Sequence, residues 1–238
     1  MRLGVHVPVA GGLVRAARRA RSLRCECLQI FTRNPRGWRA RSLSHEEVAR
    51  FRELLNRHDI RPLVIHASYL VNLASPDRAL WRRSLRAVAE DMERGALLGA
   101  RFVVLHPGHH MRAGAAAGLR RLGRAARSLL AGAPDGMELL LENTAGRGTE
   151  LGSDWGDFAR LLDLLGDDER LGICFDTCHA HAAGYRLDSA RCVARTIEEF
   201  KRALGPARLR LIHLNDCRGE AGAHRDLHEH IGRGTIGD

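Results

Sequence analysis

Short apolar runs that break on one polar residue recur along the chain: Pro62-Leu-Val-Ile-His66, Phe102-Val-Val-Leu-His106, Glu138-Leu-Leu-Leu-Glu142, Leu171-Gly-Ile-Cys-Phe-Asp176 and Leu209-Arg-Leu-Ile-His213. Runs of this length, rich in Leu, Ile and Val, read as strands buried on both faces, as in a parallel sheet. Leu3-Gly-Val-His-Val7 and Cys27-Leu-Gln-Ile-Phe31 precede them as two further strands. Helical segments fall between. One runs from Ala10-Gly-Gly12 to about Arg24, and a second from Ser44 to near His58, with Ser44 and Glu47 in capping-box spacing. Trp81 to Leu98 ends at Gly99, and 114–131 carries the apolar stripe Leu119, Leu122, Ala126, Leu129 and Leu130. Asp154 to Leu165 and residues 189–204 complete the set, while Pro and Gly in Thr32-Arg-Asn-Pro-Arg-Gly-Trp38 impose a loop.

Alternating strand and helix with polar residues at the strand ends predicts an α/β fold of the TIM (β/α)8 type, a single domain over residues 1–238. Seven strands are countable; an eighth strand and its closing helix are expected beyond Asp238, so the barrel is expected to be C-terminally incomplete. The polar residues then gather at one mouth of the barrel. A lone His at a strand end is ordinarily a hydrogen-bonded core or loop residue. A Glu or Asp buried behind several apolar residues is costly without a cation, so His66, His106, Glu142, Asp176 and His213 together indicate a metal site. His179, one turn past Asp176, belongs to the same region. Asp226-Leu-His228 points two ligand types to one side of an extended segment, or is a plain surface loop. His224 and His230 read as solvated or outer groups.

Charge narrows the class of partner. A formal net charge of +10 favours a polyanion, nucleic acid ahead of an anionic membrane surface, although an Arg-rich composition accounts for the total equally well. Arg36, between Pro35 and Gly37, is placed at the rim, to contact phosphate or wedge into a duplex, or else is an ordinary solvated cation. Tyr69-Leu70, just past His66, offers an aromatic and an aliphatic group on that rim, or a local packing pair. Six cysteines without Cys-x-x-Cys units indicate reduced, packed thiols. With no leader and no apolar run of membrane-spanning length, a cytoplasmic, monomeric protein with no membrane partner is expected.

The runs His66-Ala-Ser-Tyr-Leu-Val-Asn72, His106-Pro-Gly108, Glu142-Asn-Thr-Ala-Gly146, Phe175-Asp-Thr-Cys-His-Ala180, His213-Leu-Asn-Asp216 and Asp226-Leu-His228 resemble the signatures of the endonuclease IV family of apurinic/apyrimidinic DNA endonucleases. So do the Gly-Val-His-Val opening and Phe31-Thr-Arg-Asn-Pro-Arg-Gly-Trp38. The resemblance implies a TIM barrel of xylose-isomerase type holding three zinc ions. His66, His106 and Glu142 would hold one; Glu142, as catalytic bridge, would share a second with Asp176 and His213; His179, Asp226 and His228 would hold the third. It implies cleavage of double-stranded DNA on the 5′ side of abasic sites, removal of 3′-blocking groups, and entry of Arg36, Tyr69 and Leu70 into the duplex. The family's further Glu ligand, from the eighth strand, has no counterpart among these 238 residues. Two other readings are a divalent-metal sugar isomerase on the same barrel and a non-catalytic remnant that binds abasic DNA.

Overall fold

A computed structural model describes residues 1–237. Seven strands, β1 (Gly4–His6), β2 (Cys27–Phe31), β3 (Leu63–His66), β4 (Ala100–Leu105), β5 (Glu138–Glu142), β6 (Leu171–Asp176) and β7 (Leu209–His213), lie side by side in chain order, each parallel to the next. Helices α1 (Leu13–Ser22), α2 (His45–Arg57), α3 (Arg78–Leu98), α4 (Ala115–Ala131), α5 (Trp155–Leu165), α6 (Thr177–Ala183) and α7 (Ala190–Leu204) connect them. A short antiparallel pair, β8 (Asp216–Cys217) and β9 (His228–Glu229), follows β7.

Side-chain parity explains why the strands are apolar throughout yet end in polar residues. Val64, Phe102, Val104, Leu140 and Cys174 pack together with Leu211 inside the curled sheet. Their neighbours Leu63, Ile65, Val103, Leu105, Leu139, Leu141, Ile173 and Phe175 join the larger core beneath the helices. Successive residues of a strand face opposite sides, so two steps past each inward apolar residue comes another inward one. In this series those are His66, His106, Glu142, Asp176 and His213. The register aligns them: His66 lies opposite Val104, Glu142 opposite Cys174, and Asp176 opposite His213.

The other end of the interior is closed by charge. Glu138 takes Arg101 at 2.9 Å and Arg210 at 2.8 Å. Gly172 makes room for this plug, since a Cβ there would sit 2.6 Å from Arg210 Cγ and 2.7 Å from Leu140 Cδ2.

No eighth barrel strand lies among the described residues. The sheet therefore has two free edges, β1 and β7, and Leu3, Val5, Ile212 and Leu214 are exposed along them. Curling still brings the end of β7 across to β2, the strand beside the other edge: His213 Nε2 is 2.9 Å from Gln29 Oε1.

Local departures from the sequence pattern have identifiable causes. Helix α3 begins at Arg78, three residues before Trp81, because the Asp77 carboxylate accepts from the amides of Ala79 and Leu80 at 2.7 and 3.1 Å. Ser44 caps α2 by accepting from the Glu47 amide at 3.1 Å. The Glu47 carboxylate does not complete the capping box. It accepts instead from the Leu13 amide at 3.0 Å and from Arg41 at 2.7 Å, tying α2 to the start of α1. Helix α1 spans Leu13–Ser22, shorter at both ends than its apolar spacing suggests. Helix α6 and the β8–β9 pair are too short to leave a periodic trace.

The loop that follows β2 is held from beneath by a buried ion pair. Arg33 donates from Nε to Asp91 Oδ1 at 2.9 Å, and from its Nη atoms to the carbonyls of Trp38 at 2.7 Å and Ala87 at 3.0 Å. Arg94 donates to the carbonyls of Thr32 and Arg41, each at 2.9 Å. Burial pushes the Asp91 carboxyl up, against the opposing pull of Arg33. Arg33→Met strands that carboxylate and is expected to cost ~3–5 kcal/mol. Arg57→Ala, which removes an exposed ion pair on α2, should cost under about 1 kcal/mol. Urea unfolding midpoints of the two variants check this, and equal shifts would contradict it.

Candidate metal centre

Glu142, at the end of β5, is wholly buried and touched on both carboxylate oxygens. His66 Nε2 lies 3.1 Å and His106 Nε2 3.3 Å from Oε2; His213 Nδ1 lies 2.9 Å and His179 Nδ1 3.4 Å from Oε1. Asp176, also buried, caps α6 with Oδ1, which accepts from the His179 amide at 2.8 Å. Its Oδ2 accepts from Asn215 Nδ2 at 2.7 Å and faces His228 Nε2 at 3.4 Å and His213 Nδ1 at 3.9 Å. Asp226 Oδ1 stands 3.3 Å from His179 Nε2 and 3.4 Å from His228 Nε2. All eight residues singled out as ligands thus meet at one mouth.

The imidazoles are oriented by their other nitrogens. A carbonyl oxygen only accepts, so a ring nitrogen held against one carries the proton and its partner keeps a lone pair. His66 Nδ1 donates to the Ala67 carbonyl at 2.7 Å, which aims the Nε2 lone pair at Glu142. His213 Nε2 donates to Gln29 Oε1 at 2.9 Å, which aims Nδ1 at the same carboxylate. His179 Nδ1 donates to the Asn143 carbonyl at 2.9 Å, which turns Nε2 toward Asp226. Asn143 in turn clamps β6: its Oδ1 accepts from the Asp176 amide at 2.7 Å, and its Nδ2 donates to the Asp176 carbonyl at 3.0 Å.

This donor chemistry fits divalent metal. One donor atom each from His66, His106 and Glu142 lies within 4.8 Å of the others, and the same holds for His179, Asp226 and His228 and for Glu142, Asp176 and His179. Three carboxylates face lone pairs with no Arg or Lys among them, so the centre attracts positive charge. Burial raises the Glu142 carboxyl, yet His213 and His106 hold it well below the usual range. Burial likewise raises Asp176, and His179 and His228 bring it down. Burial lowers His179, but Asp176, Asp226 and Glu142 lift it to about 10; His213 and His228 move up for the same reason. In effect, protons occupy the positions where cations are wanted. Cys174 and Cys178 also sit close by, but burial pushes both thiols up, and a neutral thiol is a poor ligand.

The rim carries the other three residues singled out in the sequence. Tyr69 is 59 % exposed, its ring centroid 5.8 Å from that of His66 and 6.3 Å from that of His106. Leu70 beside it is half-buried and Arg36 is exposed. The Pro35 carbonyl accepts from the Tyr69 amide at 3.0 Å and from Ser68 Oγ at 2.8 Å, clipping the loop that bears Arg36 to the loop that bears Tyr69. Arg39, Arg112, Arg147, Arg225 and Arg233 are also exposed in loops that follow strand ends. His224, outside the ligand cluster, donates to the Ala145 carbonyl at 2.9 Å.

Gln29, His6, Asn143 and Asn215 are not distinguishable as site residues from their types alone. His6 has the one available signal, a polar residue inside the Leu3–Val7 run.

The model of the xylose isomerase-like TIM barrel family matches residues 17–237. A probable endonuclease 4 of Halothermothrix orenii is 39 % identical over 238 residues, covering all of this chain and 86 % of its own length. The crystal structure of endonuclease IV from Thermus thermophilus superposes with a TM-score of 0.89 at 38 % identity, over all of this chain and 84 % of that one. A D-tagatose 3-epimerase-like protein matches with a TM-score of 0.71 at 21 % identity, over 99 % of this chain and 82 % of its own, a likeness of fold alone. With a family match over nearly the whole chain and relatives at this identity across all of it, the protein belongs to the endonuclease IV family of xylose isomerase-like TIM barrels.

Proposed function

We propose that the protein is a zinc-dependent DNA repair endonuclease that cleaves the phosphodiester on the 5′ side of abasic sites and trims blocked 3′ ends. The observation that carries this is Glu142: one buried carboxylate whose two oxygens each face two imidazoles, the arrangement of a bridging ligand. Its site would hold three zinc ions. His66, His106 and Glu142 take the first, Glu142, Asp176 and His213 the second, and His179, Asp226 and His228 the third. Mixed imidazole and carboxylate donors suit zinc better than magnesium, which prefers oxygen alone. Bound there, zinc supplies Lewis acidity toward water and toward the phosphate oxygens.

The protein's own residues bind and orient. In the overall reaction a water oxygen joins phosphorus, the bond from phosphorus to the upstream 3′ oxygen breaks, and that oxygen leaves as a 3′-hydroxyl. A 5′ deoxyribose phosphate remains on the other side. Arg36, Tyr69 and Leu70 enter the duplex where the base is absent and unstacking is least costly. Among the described residues, Arg36, Arg39, Arg112, Arg147, Arg225 and Arg233 make no carboxylate pair, which leaves them free for backbone phosphates. No helix among the described residues is long and apolar enough to cross a membrane, and the six cysteines are free. We place the reaction in the cytoplasm and assign it to a monomer.

Incision of an abasic-site duplex should vanish in EDTA and return with added zinc. Binding without cleavage after zinc return would point instead to a damage-binding protein. Glu142→Gln should lower incision by at least about 100-fold and the zinc content with it, since both bridged ions lose a charged ligand. Far-ultraviolet circular dichroism should stay unchanged, and near-normal incision would count against the assignment. Tyr69→Ala should weaken incision at abasic sites by ~1–3 kcal/mol, the loss of one stacking surface. It should leave trimming of 3′-blocked ends less affected; equal losses on both substrates would refute the rim role.

A further inference from the structure

We infer that Gln29, held between His213 and His6, is a positioning residue of the metal centre. The inference rests on the reading of His213 as a metal ligand. His213 comes from β7, whose residues alternate between partly buried and exposed where those of β3, β5 and β6 are buried throughout. Packing along β7 is thus looser than along those strands, and a side-chain partner fixes the ring.

Gln29 reaches it from the opposite side of the interior. The register places His6, Gln29 and Val64 side by side on β1, β2 and β3, and Val64 faces inward. Gln29 Oε1 stands 2.9 Å from His213 Nε2, while Gln29 Nε2 stands 3.0 Å from His6 Nδ1. His213 Nδ1 stands 2.9 Å from Glu142 Oε1. The row His6–Gln29–His213–Glu142 therefore crosses the mouth through three hydrogen bonds.

When a cation takes the place of the proton between Glu142 and His213, Nδ1 gives its lone pair to the metal and the neutral ring keeps its proton on Nε2, toward Gln29. The carboxamide then accepts from His213 through Oε1 and donates through Nε2 to His6 Nδ1, so both of its ends are matched. The consequence is one ring orientation for His213, with Nδ1 aimed at the metal. Groups that orient a ligating imidazole in this way typically change metal affinity by about 10–100-fold when removed.

The test compares Gln29→Leu, which keeps the bulk and deletes both hydrogen bonds, with Gln29→Glu, which keeps an acceptor oxygen for His213. Zinc affinity is measured on the full-length protein by competition with a chelator. The Nε2–H of His213 is read by 1H–15N correlation in the zinc-loaded protein, with His213→Gln for assignment. Gln29→Leu should lose zinc affinity by about 10–100-fold and show the His213 Nε2–H shifted upfield and exchanging faster with water, whereas Gln29→Glu keeps the hydrogen-bonded Nε2–H and stays within about 10-fold of wild type. Unchanged zinc affinity together with a wild-type Nε2–H shift and exchange rate in Gln29→Leu overturns the inference. Should Gln29→Leu fail to fold, Gln29→Asn takes its place, its oxygen one methylene too short to reach, with the same expectations. A wild-type protein that binds no zinc would instead defeat the reading on which the inference rests.

Discussion

A carboxylate taken wholly out of water must be met by positive charge or by donors, and Glu142 is met by imidazoles alone. Much else in the structure follows from that requirement. Four histidines converge on two oxygens, three at or just past the ends of β3, β4 and β7 and one in the first turn of α6. Had any one of them been replaced by Lys or Arg, a permanent cation would satisfy Glu142 and leave no place for a removable one. Imidazole is the side chain that can give up its proton to a metal at neutral pH and still bind, which is why the cluster holds His and carboxylate and excludes the stronger bases.

The barrel converts a one-dimensional pattern into this three-dimensional arrangement. Parity inside each strand sends alternate residues inward, and parallel register sets the ends of β3, β5, β6 and β7 at one level. The Glu138–Arg101–Arg210 plug seals the other end, so the interior has a charged floor, an apolar middle and a polar mouth. Loops then add what the strands cannot reach: Asp226 and His228 arrive on the segment entering β9, and His179 on the first turn of α6. The Arg33–Asp91 pair beneath and the Pro35 clip above hold the rim loop in place.

Most of this is legible in the order of residues alone, for a physical reason. A run such as Leu139-Leu-Leu-Glu142 is informative because burying its last residue is expensive, and an expensive residue is kept only where something compensates it. The eight candidate ligands stand out by that cost or by spacing, and Ser44, Gly99 and Asp154 mark helix ends through their own conformational preferences. What stays hidden carries no such cost in one dimension. Gln29 is a neutral amide in a strand, and its role depends on two partners, one 23 and the other 184 residues away. Asn143 acts through both ends of its amide on a strand 33 residues on. Glu47 shows the converse, since local spacing matches a capping box but Leu13 and Arg41 compete for the carboxylate and win.

The centre has a part in stability as well as chemistry. Among the described residues β7 pairs with β6, and side-chain links from its last residue reach further, one to Glu142 on β5 and one to Gln29 on β2. A cation held by Glu142 and His213 would replace a proton-mediated contact with a stronger bond, and only in the folded state, because the unfolded polypeptide keeps these donors far apart. Its binding free energy would then be folding free energy, delivered to the end of β7. Residues drawn from β3, β5, β6 and β7 would thus serve two ends with one set of bonds: assembling a metal centre, and tying the ends of separate strands to one another across the mouth.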